Sequence, residues 1–131
     1  MTEKKNKVLL VDDEVDFIQP LAYWLQVKGY EVVVALDGKC ALEKIRDEKP
    51  DIVFMDLNMP GMSGVEAVSR IRAFDPEVPV IIISAYIDEE RIKEVLACGI
   101  SGVFYKGADF QDGLMLLEST LRTHKKLKKQ S

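Results

Sequence analysis

A chain of 131 residues, of which 47% are hydrophobic and 31% charged, has the length and composition of one globular domain. Its net charge of -4 argues against non-specific nucleic-acid binding by the domain body. Only Cys40, Cys98 and His124 offer thiol or imidazole ligands, so a disulfide framework and a zinc site are disfavoured, and we expect the protein to be located in a reducing cytoplasm. The start, "MTEKKNK", lacks the apolar core of a signal peptide, and no apolar run reaches the ~18 residues of a membrane span.

The first part of the chain predicts a strand followed by a helix. The run "VLLV" (8–11) is apolar throughout, which is typical of a strand buried on both faces of a parallel sheet. Apolar residues then recur at helical spacing until Gly29 acts as a stop: Phe17, Leu21, Trp24 and Leu25. Pro20 falls inside this pattern, where it would remove a backbone hydrogen bond and kink the helix.

The middle of the chain repeats this order. The β-branched-rich runs "VVVA" (32–35) and "IVFM" (52–55) predict the second and third strands, again buried on both faces. A helix from about Lys39 to Glu48 lies between them, with inward residues Ala41, Leu42 and Ile45. A third helix begins near Gly64 and carries Val65, Val68, Ile71 and Arg72.

The last part adds two more strands and two more helices. The strands are "VIII" (80–83) and "VFY" (103–105). The fourth helix follows the cap Asp88 and ends at Gly99, with inward residues Ile92, Val95 and Leu96. The fifth starts near Asp109 and has one apolar stripe of Phe110, Leu114, Leu117 and Leu121. Five strand–helix alternations predict an α/β sheet with helices on both faces.

Polar residues follow four of the five strands at the point where each strand ends: Asp12 and Asp13, then Asp56, Ser84 and Lys106. Taken singly, each has an ordinary interpretation. The acidic pair suits a helix N-cap, Asp56 a turn, Ser84 an unremarkable hydroxyl and Lys106 a surface charge. However, ligands of open parallel sheets bind outside the carboxyl ends of the strands. The joint pattern therefore favours a reactive site.

Three neighbouring carboxylates repel one another, and burial makes their charged forms costly. A divalent cation would relieve both problems, and an all-oxygen ligand set suits Mg²⁺ better than zinc or copper. Ser84 and Lys106 would then bind phosphoryl oxygens. A carboxylate can itself be the nucleophile and form an aspartyl phosphate, and Asp56 on the predicted central strand is the natural candidate.

Four stretches, "VLLVDDE", "PDIVFMDLNMPGMSG", "VPVIIISAY" and "GVFYKG", resemble in order and spacing the receiver domain of bacterial two-component response regulators. The resemblance covers about residues 6–123. It implies a flavodoxin-like, doubly wound sheet of five parallel strands in the order 2-1-3-4-5. It also implies a phosphorelay switch, in which Asp56 accepts a phosphoryl group from the phosphohistidine of a sensor histidine kinase or a histidine phosphotransfer protein.

By the same resemblance, Mg²⁺ is bound by Asp56, by Asp12 and Asp13, of which Asp13 is the more direct ligand, and by the backbone carbonyl of Asn58. Ser84 fills the position of the family's switch Ser/Thr. Lys106, in the stretch "GVFYKG", is the phosphate-binding lysine.

The chain departs from the family pattern in two places. Gly107 follows Lys106, where the family usually has a proline after a cis peptide bond, so we expect a trans bond here. Val103 stands where the family often has an aromatic switch residue, and valine is too short to rotate as a ring does. We therefore expect Tyr105, on the same face of the strand, to report any switch.

Two other classes of protein stay open. A haloacid-dehalogenase-type phosphohydrolase uses similar residues and Mg²⁺, but it generally has a second aspartate where this chain has Asn58. A receiver-like binding module that works without phosphorylation usually lacks one or more of five side chains, all of which are present here: Asp12, Asp13, Asp56, Ser84 and Lys106. We therefore favour a signalling domain that promotes only its own phosphorylation and dephosphorylation, rather than an enzyme.

We expect a single receiver domain over residues 1–131, which acts on a downstream protein or an attached effector domain. Its basic tail "HKKLKKQS" (124–131) is interpreted as a solvated helix end, with a linker stub as the alternative. The fourth helix, fifth strand and fifth helix are the expected partner surface and a candidate homodimer contact. Met115 and Leu116 widen the apolar stripe of the fifth helix there, although a broadly buried helix would do the same.

Overall fold

The computed structural model describes residues 5–85 and 89–130, with side chains as far as residue 124. The predicted cap Asp88 lies outside the described residues. Strands and helices alternate along the described chain: β1 Lys7–Val11, α1 Val15–Val27, β2 Glu31–Ala35, α2 Gly38–Glu48, β3 Ile52–Asp56, α3 Gly64–Phe74, β4 Val80–Ser84, α4 Glu89–Leu96, β5 Gly102–Tyr105 and α5 Phe110–Gln130.

The strands form one parallel sheet in the order β2-β1-β3-β4-β5, which confirms the predicted fold class. Helices α2, α3 and α4 cover one face of the sheet, and α1 and α5 cover the other. Because β3 and β4 are covered on both faces, all of their residues are buried, as their continuous apolar runs predicted. The carboxyl ends of all five strands meet at one edge of the sheet.

The expectation of burial on both faces is wrong for the edge strands. Glu31 and Val34 of β2 are exposed, and so is Tyr105 of β5. An edge strand has a neighbour on one side only, so helices cover it less completely. Ala35 and Phe104 are the buried residues of these two strands.

The two glycines that the sequence predicts as helix stops lie just after the ends of their helices. Gly29 follows α1 with a φ of +102°, and Gly99 follows α4 with a φ of +79°, a conformation that glycine adopts at little cost. Pro20 lies inside α1, which continues past it to Val27. The kink at Pro20 stays a prediction.

One predicted inward residue points the other way. Leu96 is 54% exposed, whereas its neighbour Val95 is completely buried, so the prediction for Leu96 is wrong. Consecutive helical residues differ by about 100° in direction, and the short helix α4 buries only one narrow stripe. In α5, Met115 is exposed, while Leu116 is half-buried against Gly102.

The longest helix, α5, has 21 residues and extends through the predicted basic tail to Gln130. Among the side chains of α5 that the structure describes, three leucines are buried against the sheet: Leu114, Leu117 and Leu121. In the part of the chain that the structure describes, no helix combines the length and the apolar composition needed to cross a membrane.

Gly64 positions α3 against the carboxyl end of the central strand. Its N–H group donates to the carbonyl of Leu57 at 3.0 Å. A methyl group at Gly64 would lie 2.4 Å from the carbonyl oxygen of Asp56 and 2.6 Å from Cα of Leu57. Both neighbours are backbone atoms that cannot move aside without shifting the strand end, so any side chain at the start of α3 would displace that strand end.

We predict that Gly64→Ala destabilises the fold by about 1–3 kcal/mol because of this overlap. The matched control is Gly107→Ala, where an added methyl group would meet no atom of the described residues within 4 Å. Urea denaturation of both variants tests the contrast. Equal stability of the two variants would contradict the close approach at Gly64.

Candidate functional site

The register of the sheet brings two aspartates side by side. Val11 of β1 is paired with Met55 of β3, so the residues that follow them, Asp12 and Asp56, lie next to each other at the carboxyl edge. Both are buried, whereas Asp13 is exposed. One carboxylate oxygen from each of the three aspartates lies within 4.8 Å of the others. The predicted cluster of three carboxylates is thus present.

Each buried aspartate uses one oxygen to shape its own loop. Oδ1 of Asp12 accepts a hydrogen bond from the N–H group of Glu14 at 2.9 Å, and Oδ1 of Asp56 accepts one from Asn58 at 3.1 Å. Such bonds to the residue two positions later are typical turn contacts. Asp56 thus makes a turn contact through Oδ1, while the second oxygen of each aspartate, Oδ2, stays buried near the side chain of Lys106.

Lys106 brings a positive charge to these second oxygens. Its Nζ atom lies 2.9 Å from Oδ2 of Asp12, 3.6 Å from Oδ2 of Asp56 and 2.5 Å from Oε1 of Glu14. Within the described structure neither buried Oδ2 atom accepts a hydrogen bond, and the contacts that they make with this ammonium are ion pairs. The ammonium group also lies 5.2 Å from the ring centre of Phe17.

Burial raises the pKa of Asp56 from its ordinary value of 3.8 to about 7. The N–H group of Asn58 acts against this shift, while the charge of Asp12 adds to it. Burial alone would lower the pKa of Lys106, but its contacts with Glu14, Asp12 and Asp56 outweigh burial, and the pKa of the ammonium is raised. The charge of Lys106 opposes the raised pKa of Asp56 but does not return it to its ordinary value.

The donor set fits a hard divalent cation. The cluster offers carboxylate oxygens alone, and two of these oxygens are buried without a hydrogen bond. A cation of the Mg²⁺ class prefers such ligands and would supply the missing positive charge. The exposed Asp13 leaves the cluster open to solvent, so that water and a phosphoryl group have room to complete the coordination.

The other predicted site residues lie around this cluster. Ser84 is buried at the end of β4, one residue beyond Ile83, the partner of Asp56 in the sheet. Its carbonyl accepts a hydrogen bond from the N–H group of Lys106 at 2.9 Å. The side-chain oxygen of Asn58 accepts a hydrogen bond from the guanidinium of Arg91 on α4.

Sequence reasoning missed two residues at the site, Glu14 and Arg91. Glu14 directly follows the acidic pair in "VLLVDDE", which is the one signal that could have drawn attention to it. Arg91 lies 33 residues after its partner Asn58, and no sequence signal connects them.

The two departures from the family pattern have structural outcomes. Every peptide bond in the described residues is trans, which confirms the expectation for the bond that follows Lys106. Val103 is half-buried and packs against the core on the α2, α3 and α4 face, while Tyr105 is 37% exposed. That Tyr105 reports a switch stays a prediction.

Residues 8–118 match the family model of the response regulator receiver domain. Among curated proteins, the transcriptional regulatory protein ZraR of Klebsiella oxytoca is 35% identical over 127 residues, which cover 97% of this chain and 28% of that protein. The sporulation initiation phosphotransferase F of Bacillus subtilis is 33% identical over 107 residues, which cover 82% of this chain and 86% of that protein. The solved structure of Vibrio cholerae chemotaxis protein CheY4 has 32% identity and a TM-score of 0.85, covering 89% of this chain and 99% of that one.

A five-stranded parallel sheet with an acidic cluster and a lysine at its carboxyl edge is the architecture of a phosphorylation-dependent signalling domain. The chain belongs to the response regulator receiver domain family. Members of this family receive phosphoryl groups from kinases and generally use Mg²⁺ at an acidic site. The chain spans about a quarter of the length of the first curated relatives it matches.

The raised pKa of Asp56 predicts that the metal-free protein loses stability as the pH rises. The unfolded chain releases the proton near pH 4, whereas the folded protein retains it until about pH 7, so folding becomes less favourable across that interval. Asp56→Asn removes the charge and should stabilise the metal-free fold by about 1–3 kcal/mol at pH 8. This gain in folding stability should shrink at pH 5 and vanish near pH 4, where the carboxyl group of Asp56 is protonated in the folded protein.

Chemical denaturation with a chelator present, at each of these pH values, measures the effect. Asp16→Asn serves as the control, because Asp16 is exposed in the first turn of α1. A stabilisation by Asp56→Asn that does not depend on pH would contradict a buried carboxyl group with a raised pKa.

Proposed function

We propose that Asp56 accepts a phosphoryl group from the phosphohistidine of a sensor histidine kinase or a histidine phosphotransfer protein, in a Mg²⁺-dependent reaction. The phosphorylated domain then changes its affinity for a downstream protein or an attached effector domain. One observation carries the proposal: the buried Oδ2 atom of Asp56 accepts no hydrogen bond in the described structure and lies 3.6 Å from the ammonium of Lys106, on a residue of the three-aspartate cluster.

The two oxygens of Asp56 have different tasks in this proposal. Oδ1 is held by the N–H group of Asn58, so the carboxylate has a fixed direction. Oδ2 is the nucleophile, which bonds to phosphorus as the phosphorus–nitrogen bond of the donor histidine breaks. The ammonium of Lys106 balances negative charge on the phosphoryl oxygens, and the hydroxyl of Ser84 donates to one of them.

Asp12, Asp13, Asp56 and the backbone carbonyl of Asn58 are the proposed Mg²⁺ ligands. When bound, the cation supplies positive charge at the phosphoryl group and at the crowded carboxylates. The support is the chemistry of the three carboxylates and the two buried oxygens without hydrogen bonds. Asp13, as the exposed member, is accessible to the incoming hydrated cation.

We further propose that the domain is not an enzyme for separate substrates. A haloacid-dehalogenase-type phosphohydrolase needs an acid/base residue two positions after the nucleophile. Asn58 occupies that position, its amide does not exchange a proton in that role, and its oxygen already accepts from Arg91. The phosphorylation-independent binding module has less support, because all five site residues are present.

The remaining proposals concern extent, location and partners. Family membership supports a single receiver domain within residues 1–131, a core at about 6–123, a cytoplasmic location and no direct nucleic-acid binding by this domain.

For the binding of a partner protein or of a second copy of the chain, we propose the surface formed by α4, β5 and α5. Its support is three exposed apolar side chains, one on each element: Leu96, Tyr105 and Met115.

Incubation with acetyl phosphate and Mg²⁺ should add one phosphoryl group to the protein, as measured by intact mass spectrometry. Asp56→Asn should abolish the addition, because it removes the nucleophile. Asp13→Ala should slow it at least tenfold by weakening the metal site. Asp51→Asn is the control, because Asp51 is exposed near the amino end of the same strand.

Phosphoryl addition that persists in Asp56→Asn would disprove the assignment of the acceptor. The same samples should release no phosphate from a generic phosphomonoester. Steady turnover that depends on Asp56 would favour the phosphohydrolase class instead.

Met115→Lys should weaken self-association or partner binding in the beryllofluoride-activated state without affecting phosphorylation, because Met115 is 60% exposed. Leu116→Lys should instead lower stability by about 1–3 kcal/mol, because Leu116 packs against Gly102. Analytical ultracentrifugation and urea denaturation separate these effects. Unchanged association and partner binding in Met115→Lys would exclude this part of the surface.

A further inference from the structure

Glu14 uses its side chain in an unusual way for its position. It is the N-cap residue of α1, yet its carboxylate makes no capping hydrogen bond to that helix. Its Oε1 atom instead lies 2.5 Å from Nζ of Lys106, 92 residues further along the chain. The first residue after the acidic pair is thus directed across the site toward the phosphate-binding lysine.

Lys106 is shared unequally among its three carboxylate partners. Its Nζ atom is closer to Glu14 and Asp12, at 2.5 and 2.9 Å, than to Asp56, at 3.6 Å. The ammonium group therefore lies toward the β1 side of the site in the unphosphorylated protein. A phosphoryl group on Asp56 needs the same ammonium on its own side.

We propose that Glu14 is a positioning residue that holds Lys106 in a resting position and competes with the phosphoryl group for it. The inference rests on the proposed phosphoryl acceptance at Asp56. Glu14 thereby lowers the stability of the phosphorylated state, and removing its contact with Lys106 favours that state.

The expected effect of Glu14 on the phosphorylated state is small, because its side chain is exposed to solvent. The side chain of Glu14 is 61% exposed, and ion pairs with an exposed partner shift equilibria by at most about fivefold. Asp12 keeps its own contact with Lys106, so a two- to fivefold change is expected. The N–H group of Glu14 donates to Asp12 in any variant, because a side-chain substitution leaves this backbone bond in place.

Two substitutions separate the specific contact from the general effect of charge. Glu14→Gln removes the charge. Glu14→Asp keeps the charge, but its side chain is too short to reach Lys106 as glutamate does, and aspartate is a favoured N-cap that bonds to its own helix. If the contact matters, both variants behave alike. If only net charge matters, Glu14→Asp behaves like the native protein.

The test is a beryllofluoride titration of the full chain at saturating Mg²⁺. Glu14→Gln and Glu14→Asp should both bind beryllofluoride two- to fivefold more tightly than the native protein, and the exposed control Asp16→Asn should not change. A Glu14→Asp variant equal to native, or no change in either variant, would overturn the proposal.

A second measurement reads the resting position directly. In metal-free protein, the ammonium ¹⁵N resonance of Lys106, identified by its absence in Lys106→Met, should weaken through faster hydrogen exchange in both Glu14 variants. An unchanged resonance would also overturn the proposal. If the native protein fails to bind beryllofluoride, the proposed function fails instead, and this resonance still decides whether Glu14 holds Lys106.

Discussion

Two carboxylates buried side by side impose the constraint on which the rest of the site depends. Asp12 and Asp56 are both removed from water at the carboxyl edge of the sheet, where their charges repel. The protein offsets this cost only in part, with one backbone N–H group for each aspartate and the ammonium of Lys106. The remaining deficit of positive charge makes the site suitable for a cation and a phosphoryl group together.

The fold maintains this unfavourable arrangement because its strands are rigid and completely covered. β3 is buried along its whole length between β1 and β4, so Asp56 cannot turn toward solvent without disturbing the core. Gly64 brings the start of α3 against the backbone of Asp56 and Leu57, which confines the loop that follows the strand. Burial energy in the core thus offsets the electrostatic cost at the edge.

The site is physically connected to the surface proposed for partners. The side chain of Asn58 contacts Arg91 at the start of α4, and the backbone of Lys106 contacts Ser84 at the end of β4. The other end of α4 is held separately, because Arg72 of α3 donates to the carbonyls of Cys98 and Gly99. Residues close to Asp56 therefore already contact α4 and the residue that follows β5.

The sequence by itself determined the strands, their order along the chain and most of the site. Continuous apolar runs that stop at Asp12, Asp56, Ser84 and Lys106 predict both buried strands and a shared edge, because parallel strands end on the same side. The tertiary structure alone decided that Lys106 contacts Glu14, that Arg91 reaches Asn58 and that Leu96 faces outward. Such contacts depend on the register of the sheet and on how each helix is rotated against it, and neither leaves a signal in the local spacing of residues.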